Sequence, residues 1–135
     1  MERLFIVNKL SAKEWLIKAF HNIKAVTVLF ENDVYTDIIG CELQQSIEKT
    51  LKSVLAFNNK PIKKTHNLVE LLELVKNNID FEVDIKLLII ATDYYTENRY
   101  PNSYFDLPEK KEIEEILNFT KELFKKICLV LDINI

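Results

Sequence analysis

The 135-residue sequence contains one glycine, Gly40, and three prolines, Pro61, Pro101 and Pro108. No other feature limits the fold as tightly. Primed hairpin turns and β-bulges need residues that accept positive φ, so a sandwich or barrel of many short strands is disfavoured. Neither a GxGxxG fingerprint nor a Walker-type phosphate loop can be written with one glycine. What remains is a chain of long helices with few breaks. The length suits a single domain over residues 1–135, and 48% hydrophobic residues are enough for one buried core.

Hydrophobic spacing marks out the helices. Trp15, Leu16, Ala19, Ile23, Val26 and Phe30 recur at helical intervals, with Lys13, Lys18 and Lys24 off that face. Ser11 and Glu14 have capping-box spacing and set the start of this first helix. Asp33 is placed to cap a second helix with the stripe Ile38, Cys41, Ile47, Leu51, Val54 and Leu55. Gly40 falls inside it at a cost of about 1 kcal/mol against Ala, which close approach of a neighbouring helix would explain. A third helix runs roughly from Asn67 to Asn77. Asn67 and Glu70 repeat the cap logic, and Leu68, Leu71, Leu72 and Val75 face inward. Asp84 starts a fourth, carrying Leu87, Leu88, Ile90, Ala91, Tyr94 and Tyr95. It ends at Arg99-Tyr100-Pro101, because the residue before proline disfavours the α region. Asp106 to Glu109 start a fifth with the stripe Ile113, Ile116, Leu117, Thr120, Leu123, Phe124, Ile127 and Leu131. The expectation is an all-α, antiparallel up-and-down bundle of four to five helices.

The residues available for chemistry are few. A net charge of −3 gives no global field to attract nucleic acid. Cys41 and Cys128 lie far apart and read as reduced, buried thiols of a cytosolic protein. Neither His21 nor His66 has the Glu-x-x-His or HExxH spacing of a metal site, so no metal and no cofactor are expected. Glu112, Glu114 and Glu115 lie among lysines and read as solvated i,i+4 partners. The stretch from Lys49 to His66 is different: it holds Lys49, Lys52, Lys60, Lys63 and Lys64 and no acid. An anion such as a nucleotide phosphate could sit there; a solvated lysine-rich loop is the competing reading. Arg99 with Tyr94 and Tyr95 could hold a phosphate and stack a base, or simply complete a helix end. His66 could equally cap the third helix.

Together these residues resemble a known family. The run Gln44-Gln45-Ser46-Ile47-Glu48-Lys49-Thr50-Leu51-Lys52 is similar to the helix-two signature of HEPN domains (higher eukaryote and prokaryote nucleotide-binding), QQ-A-x-EK-x-x-K. Pro61 and Thr65-His66-Asn67-Leu68, then Leu71 and Leu72, resemble its loop and third helix. Tyr94-Tyr95 and Arg99-Tyr100-Pro101-Asn102 resemble its YY and RYP segments, and Trp15, Leu16 and Ala19 its first helix. The resemblance runs in order over about residues 11–130.

It implies a helical bundle, usually a homodimer, often encoded beside a minimal nucleotidyltransferase in toxin–antitoxin-like pairs. Some members are metal-independent ribonucleases that use an Arg followed, about four to six residues later, by a His. This chain has no histidine beyond His66, so the resemblance implies a nucleotide-binding or nucleotidyltransferase-binding module of the RYP branch, without a catalytic residue. The alternatives are a ribonuclease in which His66 replaces the missing histidine, and a purely structural helical domain. Lys49, Lys52, His66, Arg99 and Tyr100 are the candidate nucleotide-binding residues. Gln45 and Glu48 belong to a structural polar stripe with Lys49 and Lys52, and Glu48 is a candidate partner for Arg99. Nucleotide or RNA, but no membrane, is the expected partner class.

Overall fold

A computed structural model describes the backbone of residues 2–97 and 107–135. The described residues form α1 (Glu2–Glu31), α2 (Thr36–Phe57), α3 (Leu68–Val75), α4 (Ile85–Glu97) and α5 (Lys110–Leu131), with a 3-10 turn at Lys76–Asn78 and no strand. The all-α expectation is met. No helix among the described residues is long and apolar enough to cross a membrane.

Three helix ends show how a chain with one glycine turns corners. α1, α2 and α5 each stop at a residue in the left-handed region: Asp33 at φ 52°, Asn59 at φ 57° and Asp132 at φ 53°. The hydrogen bonds repeat at each. The left-handed N–H reaches back to Phe30, Ala56 or Leu129, and the next N–H to Leu29, Leu55 or Cys128. This is the Schellman pattern, with Asp or Asn in the place glycine usually takes. Asp33 therefore ends α1; it does not cap α2, whose N-cap is Tyr35 without a side-chain bond.

The other boundaries divide. Ser11 lies well inside α1, because residues 2–10 contain neither Gly nor Pro and nothing stops the helix from extending. Asn67 does cap α3: its side-chain oxygen accepts the N–H groups of Val69 (3.0 Å) and Glu70 (3.2 Å). Glu70 turns away to Lys63 and Thr65 and closes no box. Asp84 accepts the Lys86 N–H at 3.0 Å, as expected of a cap. Glu109 is the N-cap of α5 without a side-chain bond, and Asp106 lies outside the described residues.

α2 packs on each of the other four helices. With α1 it forms an antiparallel hairpin, in which Ser46 Oγ donates to the Ala19 carbonyl at 3.0 Å. Leu43, Ile47, Leu51 and Val54 of α2 meet Leu16 and Val26 of α1, Leu68 and Leu71 of α3, Leu88 of α4, and Ile113, Ile116 and Ile127 of α5 in one core. Ile38, expected on the stripe, is instead half exposed. Neither cysteine is in a disulfide, both are half-buried rather than fully buried, and burial pushes the Cys128 thiol up to about 11. Glu112 leaves the solvated row expected of it and accepts the Tyr94 hydroxyl at 2.5 Å, joining α5 to α4.

Gly40 is buried beneath Tyr94 of α4. A Cβ there would stand 2.9 Å from Tyr94 Cγ, so close helix approach is why this position is glycine. Gly40→Ala should lower stability by about 1 kcal/mol in urea denaturation, overpacking of about 1–3 kcal/mol outweighing a propensity gain of about 1 kcal/mol. In a Tyr94→Ala background the sign should reverse. Asn59→Gly should raise stability by about 1 kcal/mol through relief at the left-handed position.

Candidate functional site

Gln44 and Lys52 of α2, and His66 from the loop before α3, converge on Glu48. This carboxylate is 5% exposed, in the middle of the helix that contacts all the others. Its Oε1 accepts from Gln44 Nε2 at 3.1 Å and lies 2.8 Å from His66 Nδ1, and its Oε2 accepts from Lys52 Nζ at 2.9 Å. Gln44, Glu48 and Lys52 stand at i, i+4 and i+8, one above another on the helix. Burial on its own would raise the Glu48 carboxyl; hydrogen bonds from His66, Lys52 and Gln44, with the Lys52 charge, outweigh it and hold the group below the usual carboxylate range.

His66 approaches from the loop before α3. Its ring stacks on Tyr95 of α4, with centroids 4.0 Å apart and planes 26° from parallel. Half of the side chain stays exposed. It does not cap α3; Asn67 does, while Thr92 of α4 accepts the Leu68 N–H at 3.1 Å. On the α1 side, Lys52 Nζ lies 5.8 Å from the centre of the Trp15 ring.

The expected site residues are thus partly assembled and partly dispersed. Lys52 is buried in the Glu48 pair. Lys49 turns to α1, where its Nζ donates to Asn22 Oδ1 at 2.8 Å. Gln45 touches Glu48 only through Gln44, donating to Gln44 Oε1 at 2.8 Å. Of the remaining lysines, Lys60 bonds Asn78 and Lys63 pairs with Glu70; Lys64 makes no such contact among the described residues. Of the five lysines, Lys52 and Lys63 are ion-paired among the described residues. Arg99 and Tyr100, and with them the suggested Glu48–Arg99 pair, lie outside the described residues.

The stripe Gln45, Glu48, Lys49 and Lys52 expected from the sequence leaves out Gln44, which bonds both Glu48 and the His66 carbonyl. The i,i+4 spacing of Gln44 and Glu48 was the signal that could have found it. Tyr95 against His66 and Trp15 against Lys52 leave no local signal, since each joins residues far apart in the chain. Among the described residues no group of three or more His, Cys, Asp or Glu could hold a metal.

The HEPN domain model matches residues 12–131. The fold is similar to the crystal structure of TT1696 from Thermus thermophilus, with a TM-score of 0.77 and 22% identity over 88% of this chain and 97% of that one. It is also similar to ST0689, an archaeal HEPN homologue, with a TM-score of 0.68 and 18% identity over 89% and 97% of the two chains. Comparison with curated proteins gives no significant match.

Removing Glu48 leaves Lys52 buried without its partner. Glu48→Leu should cost about 3–5 kcal/mol, and Glu48→Leu with Lys52→Met should recover most of that loss in thermal or urea unfolding. Because the native carboxyl is depressed, its contribution is fully present above the unfolded carboxylate value, about 4.3. It is lost as pH falls below that value to the native one. The wild-type protein should lose stability over this acid range by a margin that Glu48→Gln lacks.

Proposed function

Because the chain belongs to the HEPN domain family, we propose that it is a nucleotide-binding helical module that does not itself cleave RNA. It works in the cytosol as a homodimer, with a minimal nucleotidyltransferase as its partner in a toxin–antitoxin-like pair. The nucleotide part rests on the His66 ring. Tyr95 backs one face, Glu48 fixes Nδ1, and half of the side chain is open. An aromatic ring held in this way offers a base a stacking surface worth about 1–3 kcal/mol. Arg99 and Tyr100 follow Tyr95 closely in sequence and are further candidate nucleotide-binding residues. The absence of any histidine after His66 supports the non-cleaving reading.

One observation favours the second reading, a ribonuclease. A carboxylate on Nδ1 orients an imidazole for acid–base work at its other nitrogen. In that reading Arg99 stabilises the phosphorane charge and His66 moves the proton.

Calorimetry with ATP and GTP tests the first reading. Binding is expected, at least tenfold weaker in His66→Ala and in Arg99→Ala; no heat at millimolar nucleotide, with no NMR shift at His66 or Tyr95, refutes it. Metal-free incubation with RNA separates the two. RNA should stay intact, and cleavage lost in both variants would establish the ribonuclease instead. Light scattering of the protein alone should give a dimer mass.

A further inference from the structure

The amide of Gln44 is fully buried and can stand only one way round. Its Nε2 donates to Glu48 Oε1 at 3.1 Å and to the His66 carbonyl at 2.9 Å, and its Oε1 accepts from Gln45 at 2.8 Å. Turned over, it would set an oxygen against a carboxylate and a carbonyl, with no proton between them. Gln44 therefore holds His66 by its backbone while Glu48, one turn on, holds it by the ring, at 2.8 Å from Nδ1.

An ionised carboxylate can only accept. Lys52 and Gln44 both donate to Glu48 and keep it ionised, so the proton in the Glu48–His66 bond belongs to Nδ1. A neutral imidazole with Nδ1 protonated has a bare Nε2. We infer that Gln44 and Glu48 are positioning residues for His66: they hold its ring as the Nδ1–H tautomer and present Nε2, alone of its two nitrogens, to the ligand.

For the identity of that ligand, a nucleotide phosphate, the inference rests on the nucleotide-binding reading; for the tautomer it does not. Two ion pairs of the described residues belong to the segments that hold the ring. Glu48 and Lys52 of α2 neutralise each other, as do Lys63 of the loop and Glu70 of α3, while Tyr95 of α4 contributes its aromatic face. Of the loop's other lysines, Lys60 bonds the neutral Asn78 and Lys64 is exposed. The ring's own charge sets whether Nε2 accepts from or donates to an anion. Neutral, it points a lone pair at a phosphate oxygen; protonated, it donates to it. Donation from Nε2 to a phosphate oxygen therefore needs the protonated ring.

Long-range nitrogen–proton NMR on the full chain reads the tautomer directly. The neutral ring of wild-type His66 should show a protonated Nδ1 and an unprotonated Nε2. The reverse assignment overturns the inference without any variant. In Glu48→Gln the carboxamide can donate or accept, so the neutral ring should become a mixture of tautomers; an unchanged single tautomer would remove Glu48 from the role. With AMP as probe and inorganic phosphate as control, affinity at one fixed pH should drop about tenfold in His66→Ala. Binding unchanged in His66→Ala overturns the phosphate contact. If the tautomer is as stated but neither probe binds, the positioning role stands and the nucleotide-binding reading fails.

Discussion

A carboxylate placed inside a helical bundle has to be supplied with hydrogen-bond donors, and the way Glu48 is supplied organises this molecule. Desolvation penalises the charged group. The compensation comes from three directions: Gln44 and Lys52 of the same helix, and His66 from the loop before α3. Because the third donor lies on another segment, satisfying Glu48 also fixes where that loop runs. The loop then sets His66 on Tyr95, which ties α2 to α4 through an aromatic stack. The polar interior is thus a set of linked contacts around one acceptor, and its one half-open member is His66.

The shortage of glycine acts at a second level. Helices must still end, and the left-handed residue that ends them is supplied here by Asp33, Asn59 and Asp132. Asp and Asn reach that conformation at lower cost than other side chains, because their short polar groups can bond locally. The single glycine serves packing instead. Gly40 faces Tyr94, whose hydroxyl binds Glu112, so α2, α4 and α5 meet at one point. There a Cβ would collide, and no polar side chain could substitute.

Much of the fold was legible from local pattern. The apolar stripe of α5 was read residue for residue except that Phe124 is only half-buried, and the inward face of α3 and its Asn67 cap are as expected. The misreadings share a cause. Ser11 with Glu14, and Asp33 before α2, carry the spacing or residue type of a helix start, but such residues also occur inside a helix or at its far end. What separates the cases is whether the preceding residues are already helical, which a cap motif does not encode. The site was legible as a set of residue types more than as a set of contacts. Glu48, Lys52 and His66 were all singled out. The partnership of His66 with Glu48 was not, because it spans a loop whose path is set by packing.

What the sequence determined by itself is the class of structure and the kind of chemistry it excludes. One glycine and long amphipathic stripes require helices, and any phosphate-binding backbone loop of glycines is ruled out. These follow from local sterics and periodicity, which each residue carries wherever it is placed. The tertiary structure decided which charges are free and which are spent. Lys52 is a candidate anion ligand in sequence and a buried ion-pair partner in the fold, while His66 is a candidate cap in sequence and the exposed arm of a buried carboxylate in the fold. Charge availability depends on burial and on partners distant in the chain, and both exist only once the helices have packed.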